Sequence, residues 1–330
     1  MQLYLIWRRP CRRGKLLAEK LGARLHGIEH KFASRYLRFA DYIYKFFSTL
    51  CLLKRLKPEV VYIHAPPLFV ALPALLLRVP YVLDTHNAVW QGVWGKLPFS
   101  RIFLKHADFI IVHNHEILEE AQRQYPCDKY VVMRDAIVPI TRNSERKEKH
   151  VLFIASFNNG EPVDVIIETI KRLPDYTFYI TANPRKLCEY QRKELEGCEN
   201  LKLTGFLSVD DYETLLCSSQ AAIVLEERPA IQPCGACEAL SSDTPLILSR
   251  ISLTENLFGA WAILVENQVD SIVEGVKKSE GMTLDLSEER DAWNRDVNEG
   301  VDKLSNYYDK TLNYENGGSG GSLGNDFDYD

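Results

Sequence analysis

The chain has 330 residues, 46% of them hydrophobic, and a formal net charge of −5, which allows two domains with separate cores. No run of eighteen purely apolar residues occurs, which argues against a spanning helix. The eight cysteines lack a disulfide framework spacing, as expected for reduced thiols in the cytoplasm.

Residues Met1–Trp7 read as a strand and not as a leader, because Arg8, Arg9, Arg12 and Arg13 follow at once. Strand and helix signals then alternate, which predicts a parallel doubly wound sheet. Strands are expected at Leu3–Trp7, Arg24–Ile28, Val60–His64, Tyr81–Asp84 and Phe109–Val112. Helices are expected at Gly14–Leu21, Ala33–Leu56 and Leu68–Leu77. The Ala33–Leu56 helix interleaves Tyr36, Phe39, Tyr42, Phe46 and Phe47 with Arg35, Arg38, Lys45, Lys54 and Arg55. Trp90, Trp94 and Phe99 alternate in the same way with Lys96, Arg101 and Lys105. Such patterns suit either an interfacial surface or core packing with snorkelling basic stems. Of the 40 Lys and Arg, 25 lie in residues 1–150, so an anionic membrane surface or lipid phosphate is an expected partner of this half. Nothing resembles a nucleic-acid module, and no nucleic-acid partner is expected.

In parallel sheets the chemistry sits at the carboxyl ends of strands. Asp84-Thr85-His86 occupies one such end, with His86 either meeting a ligand or capping the next helix, and Asn87 the alternative cap. His64, before Ala65-Pro66-Pro67, occupies a second. His113 and His115 lie on one side of an extended strand, but no metal pair is expected there.

The charged stretch Thr141–His150 is expected as an interdomain linker. Beyond it, strands are predicted at Val151–Ala155, Tyr176–Thr181, Leu201–Thr204, Ala221–Leu225, Thr244–Leu248 and Ala262–Val265. Helices are predicted at Val163–Arg172, Asp210–Ser218, Gly235–Ser242, Gln268–Lys278 and Ser287–Leu312, with another capped by Thr254. Ser156, Asn158, Asn159 and Gly160 follow the first of these strands and can hydrogen-bond a phosphate. The Cys234-Gly235-Ala236-Cys237 segment opens a helix whose first amides suit a diphosphate. As the one CxxC, with no second pair, it is not expected to bind zinc. The tail, 316–330, reads as an engineered Gly/Ser linker carrying the acidic peptide LGNDFDYD.

The strand, Pro/Cys/Gly loop and small-residue helix carrying Glu238-Ala239 resemble the donor half of GT-B glycosyltransferases. The resemblance extends over roughly residues 1–312 and is to the retaining group of glycosyltransferase family 4, which includes lipopolysaccharide and phosphoinositol mannosyl transferases. It implies an α/β chain of GT-B type: two Rossmann-like domains facing across a cleft. Residues 1–140 would bind the acceptor, 141–150 link, 151–290 bind the nucleotide-sugar, and a helix at 291–315 cross back. By the resemblance, Glu238 holds the donor ribose and the amides around Cys234 and Gly235 the diphosphate, to which Ser156, Asn158, Asn159 and Gly160 are expected to add hydrogen bonds. Gly205, in Thr204-Gly205-Phe206, seats the nucleobase, and Gly14 is a first-loop glycine near the phosphate. His86 and Asp84 carry the catalytic roles, with Arg9, Arg12, His64, Trp90 and Trp94 on the acceptor.

The implied reaction is retaining transfer of a hexose from a UDP- or GDP-sugar, with no metal and no cofactor. The implied acceptor is a lipid-linked saccharide at the inner face of the membrane, or else a peptide, with Ser322 or Tyr329 as its hydroxyl. Three departures qualify this. Ala230 stands where the group's first Glu would be, Ser156-Phe157 replaces Gly-Arg, and the nearest following cation is Lys171. The N-terminal arginines are therefore expected to take over part of the phosphate grip. The departures keep open a sugar-nucleotide 2-epimerase, which needs no acceptor, and a noncatalytic GT-B scaffold.

Overall fold

A computed structural model of the chain describes residues 1–32, 35–142 and 145–317. The GGSGGS segment from its second glycine and the LGNDFDYD peptide lie outside the described residues. The chain divides into two units, Met1–Arg134 with Arg295 onward, and Asp135–Asn294.

The first unit runs β1 (Gln2–Ile6), α1 (Arg12–Lys20), β2 (Arg24–Gly27), α2 (Arg38–Leu56), β3 (Val60–Ala65), α3 (Leu72–Leu77), β4 (Tyr81–Thr85), α4 (Asn87–Trp90), α5 (Ser100–His106), β5 (Phe109–Val112), α6 (His115–Gln124) and β6 (Tyr130–Val132). Its strands are parallel, in the order β2-β1-β3-β4-β5-β6. Leu3–Ile6, Val60–Ile63 and Ile110–Val112 are wholly buried, as continuous apolar strands covered on both faces must be. The chain passes from β1 to β2 on one side and then to β3 on the other. The topological switch point, where open parallel sheets hold their ligands, therefore lies between β1 and β3.

Helix α2 is amphipathic in an inverted sense. It buries Asp41, Lys45 and Thr49 and exposes Phe39, Ile43 and Phe47, continuing a face that starts at Tyr36, 97% exposed. The inward polar groups are satisfied: Lys45 Nζ lies 3.2 Å from Asp41 Oδ2 and donates to the Trp7 carbonyl at 2.8 Å. Asp41 also accepts from the Lys31 amide at 2.7 Å. Buried charges persist where such partners exist.

The second unit runs β7 (Lys147–Phe153), α7 (Val163–Arg172), β8 (Thr177–Ile180), α8 (Glu189–Glu196), β9 (Leu201–Leu203), α9 (Val209–Ser218), β10 (Ser219–Val224), α10 (Cys234–Ser242), β11 (Leu246–Ser249), α11 (Ser252–Phe258), β12 (Ile263–Val265) and α12 (Val269–Lys278). The order β12-β11-β10-β7-β8-β9 is the doubly wound pattern, with its switch point between β7 and β10. Ile166, Ile167 and Ile170 on one face of α7 close over Phe153, Phe178 and Ile223. The last helix, α13 (Ser287–Gly317), starts in the second unit and belongs to the first from Arg295. Its residues Val297, Val301, Leu304 and Tyr308 are buried at helical spacing, and Tyr308 donates to Asp108 at 2.8 Å.

Several expectations require correction. Lys147–His150, read as linker, is the exposed beginning of β7, anchored where the Lys149 amide donates to Gln220 at 2.8 Å. Thr254 is not the N-cap residue of α11, which is Ile251. Thr254 is the third residue of α11, and its hydroxyl donates to the Ser249 carbonyl at 2.6 Å and accepts from the Ile251 amide. Gly14 is no loop glycine but lies inside α1, buried against the Tyr4 ring. Helix α8 was not predicted because Leu195 is its one buried residue, which leaves no apolar stripe to read. No helix among the described residues is long and apolar enough to cross a membrane.

Candidate functional site

At the first switch point, β1, β3, β4 and β5 bring one acid and three histidines together. Asp84, wholly buried, accepts from the Tyr4 hydroxyl at 2.5 Å and from Arg13 through Nη2 at 2.8 Å and Nε at 3.2 Å. Arg13 also donates to the Met133 carbonyl. His64 Nδ1 lies 3.7 Å, His86 Nε2 4.0 Å and His113 Nε2 3.9 Å from the Asp84 carboxylate. His86 Nε2 and His64 Nδ1 are 3.1 Å apart, and the His86 ring meets the edge of His113. Arg8 Nη2 sits 2.8 Å from His64 Nε2, which bridges the ends of β1 and β3 across the switch point itself.

Burial alone would raise the Asp84 carboxyl. The Arg13 guanidinium, helped by His64 and His86, outweighs it and holds Asp84 well below the usual carboxylate range. Burial lowers all three histidines. His86 is pushed down further by His113 and His64, and His113 falls to about 3. The cluster is therefore one carboxylate, two guanidiniums, Arg13 within it and Arg8 at its edge, and three neutral imidazoles. His86 has 24% of its side chain exposed against 3% for His64, so it is the member that can meet a ligand.

Ligand atoms of His64, Asp84 and His86 lie within 4.8 Å of one another, a spacing that a metal ion could use. The electrostatics oppose one. Asp84 is already gripped by Arg13 and Tyr4, and Arg8 stands beside His64, so a cation would enter between two fixed positive charges.

Several predicted residues stand elsewhere. Trp90, expected on the acceptor, is 1% exposed and donates to Thr85 at 3.0 Å; it is a core residue. Trp94 is half-buried on Phe69. Of the arginines expected to grip phosphate, Arg13 is turned inward onto Asp84, whereas Arg9 and Arg12 are exposed. Asp84, expected as catalytic, is wholly buried and bonded by Tyr4 and Arg13, so it has no surface to offer a substrate directly. His86 is the N-cap residue before α4 but makes no side-chain cap bond, and His115 is exposed on α6, away from any pairing with His113. Tyr4 was missed because, inside the continuous buried run Leu3–Ile6, it reads only as core.

At the second switch point the loop after β7 is closed on itself. The Glu161 carboxylate accepts from the Ser156 amide at 2.9 Å, the Ser156 hydroxyl at 2.5 Å and the Phe157 amide at 2.8 Å. Ser156, expected to meet phosphate, already holds an internal anion. Asn158 and Asn159 are exposed, and Gly160, at φ +102°, lies against Glu226 and Arg228. The cation missed in the sequence is Lys186, from the turn after β8, which donates to the Ser156 carbonyl at 2.8 Å and to Asn158 at 2.9 Å. Lys171 is instead engaged by Glu168 and Glu194. A cavity of about 500 Å³ beside this loop is lined by Lys186 but also by Glu161, Asp164 and Glu227, and this acidic balance disfavours an anion.

Helix α10 opens against the strands. A Cβ on Gly235 would come within 2.9 Å of Ile154 Cγ2 and 3.0 Å of Val224 Cγ2, so the glycine lets the helix start seat directly on β7 and β10. Cys234 is exposed at that start, Cys237 is buried and accepts from Gln232 Nε2, and Glu238 is half-buried with Tyr212 donating to its Oε2. Gly205, at φ +64°, follows the edge strand β9 beside Phe206, 87% exposed.

The sequence profile described as Glycosyltransferase Family 4 matches residues 4–137. No curated protein sequence matches the chain. Among solved structures it is similar to a glycosyltransferase from Rickettsia africae, at 12% identity and TM-score 0.64 over 94% of this chain and 98% of that one. It is also similar to sucrose-phosphate synthase from Thermosynechococcus elongatus, at 12% identity and TM-score 0.63 over 96% of each chain. A third is UDP-GlcNAc 2-epimerase from Neisseria meningitidis bound to UDP-GlcNAc, at 13% identity and TM-score 0.56 over 94% of this chain and 99% of that one. With two six-stranded parallel sheets flanked by helices, the chain has the α/β architecture of GT-B proteins.

Proposed function

We propose that the protein transfers a hexose from a nucleotide-diphosphate sugar, UDP- or GDP-linked, with retention and without a metal. The observation that carries this reading is the neutral-histidine cluster around Asp84 at the carboxyl ends of β3, β4 and β5. In it, His86 is the member that meets the sugar or the acceptor.

The donor would lie on the second unit. The start of α10 at Cys234 and Gly235 receives the diphosphate, where amide dipoles favour an anion, and Glu238 holds the ribose. Lys186 and Arg228, the cations near the loop after β7, are engaged by Ser156 and Asn158 and by Glu226, so the grip on the diphosphate would rest on the α10 amides. Gly205 and the exposed Phe206 ring would receive the base. The departing phosphate, stabilised by these groups, would accept the acceptor's proton.

For the acceptor, a lipid-linked saccharide at an anionic membrane surface is favoured. The outward face of α2, with Phe39, Ile43 and Phe47 beside exposed Arg38, Lys54 and Arg55, has the apolar and basic make-up of an interfacial helix. Such a protein would sit in the cytoplasm, peripheral on the inner membrane face.

A sugar-nucleotide 2-epimerase is the second reading, favoured by the likeness to a UDP-GlcNAc 2-epimerase structure over nearly the whole chain. Incubation with UDP- and GDP-hexoses, with and without a lipid-linked acceptor, separates the two. Acceptor-dependent nucleotide release, falling roughly a hundredfold or more in His86→Ala, is the expected result. Donor conversion without acceptor would establish the epimerase instead, and donor binding without turnover a noncatalytic scaffold.

A further inference from the structure

We infer that Arg8 fixes the tautomer of His64 and, through it, that of His86, so that His86 presents Nδ1–H to its ligand as a hydrogen-bond donor and not as a base. A guanidinium has N–H donors and no acceptor. Arg8 Nη2, 2.8 Å from His64 Nε2, therefore requires a lone pair on Nε2 and places the His64 proton on Nδ1.

The surroundings of Nδ1 agree with this. It faces the Tyr4 oxygen at 3.5 Å, whose own proton goes to Asp84, the Asp84 carboxylate at 3.7 Å, and His86 Nε2 at 3.1 Å. Each can accept. With His64 Nδ1–H pointing at it, His86 Nε2 must offer its lone pair, because two N–H groups 3.1 Å apart would repel. The remaining proton of a neutral His86 is then on Nδ1, for which no partner is found among the described residues. Burial of all three imidazoles supports the neutral forms on which this depends. The order of donors is set at the exposed end by Arg8, a positioning residue that acts through His64.

The consequence concerns what His86 recognises. An Nδ1–H donor selects an oxygen acceptor, whether a phosphate oxygen of the donor nucleotide or a sugar oxygen, and cannot abstract a proton from an acceptor hydroxyl. This choice of ligand rests on the proposed glycosyl transfer; the tautomer does not.

Long-range ¹H–¹⁵N spectra of the full chain, labelled at histidine and recorded near neutral pH, read each ring nitrogen directly. Both His64 and His86 should show a protonated Nδ1 and an unprotonated Nε2. In Arg8→Lys, another donor-only side chain, both should be kept. In Arg8→Glu, an acceptor, His64 should move to Nε2–H and His86 should invert with it, while the His113 signals, as a control for folding, stay in place. A protonated His86 Nε2 in the wild-type chain, or unchanged tautomers in Arg8→Glu, would overturn the inference. Titration with UDP-GlcNAc should shift His86 Nδ1, and Arg8→Glu should weaken binding by about tenfold or more. The stated tautomers without any response to UDP-GlcNAc or to a panel of UDP- and GDP-hexoses would uphold the inference and count against the glycosyl-transfer reading.

Discussion

Asp84 holds its charge inside the first unit because Tyr4 and Arg13 bond it directly and three imidazoles stand within 4.0 Å. Removing that charge strands Arg13, which is itself buried. Asp84→Asn is accordingly expected to cost about 3–5 kcal/mol of stability, measured by urea unfolding, and a loss below 1 kcal/mol would contradict the role of the pair. The histidines make a second prediction. His64, His86 and His113 titrate in the fold below their ordinary value of 6.5, His113 at about 3. On acidification the unfolded chain therefore binds their protons first. The stability they contribute is whole above pH 6.5 and is lost as pH falls through and below it, at about 1.4 kcal/mol per pH unit for each neutral histidine. Asp84, with its folded value lowered, adds a loss of the same sign below the ordinary carboxylate range. Unfolding midpoints should thus drop steeply between pH 7 and pH 4.5, and a flat profile would refute the neutral cluster. Asp84, His64 and His86 were legible in the sequence because strand ends expose them to reading. The inward turn of Arg13 and the burial of Trp90 were not, since both depend on what packs against them.

At the scale of elements, α10 is held where it is by a missing side chain. Gly235→Ala would press a methyl against Ile154 and Val224, with an expected cost of about 1–3 kcal/mol and weaker nucleotide binding as the helix start shifts. Unaltered thermal stability and nucleotide affinity would show that this seat is loose. In α13, Leu304 is wholly buried within the first unit, and Leu304→Ala should cost about 2–5 kcal/mol by thermal or urea denaturation. Helix α2 shows the limit of pattern reading. Its aromatic and basic residues were legible as a mixture, but the side chosen for the core follows from the bonds of Lys45 to Asp41 and to the Trp7 carbonyl, which no periodicity contains. Likewise, the charges of Lys147–His150 masked a strand whose pairing partner supplies its order.

For the molecule as a whole, alternation of strand and helix sufficed to predict parallel sheets, and the observed strand orders fix where each sheet switches direction. In each unit the chemically distinctive residues collect at that point: Arg8 and His64 in one, the Glu161 loop and α10 in the other. The donor loop departs from the expectation drawn from resemblance for a physical reason. Glu161 satisfies the Ser156 and Phe157 amides, so under the proposed function the diphosphate would fall to the start of α10. The measurement closest to the central claim is calorimetric titration of the full chain with UDP- and GDP-hexoses, alongside Glu238→Ala. Binding of one nucleotide-sugar, weakened about tenfold or more in the variant, is the predicted result. No binding by any donor, or equal binding by Glu238→Ala, would contradict it.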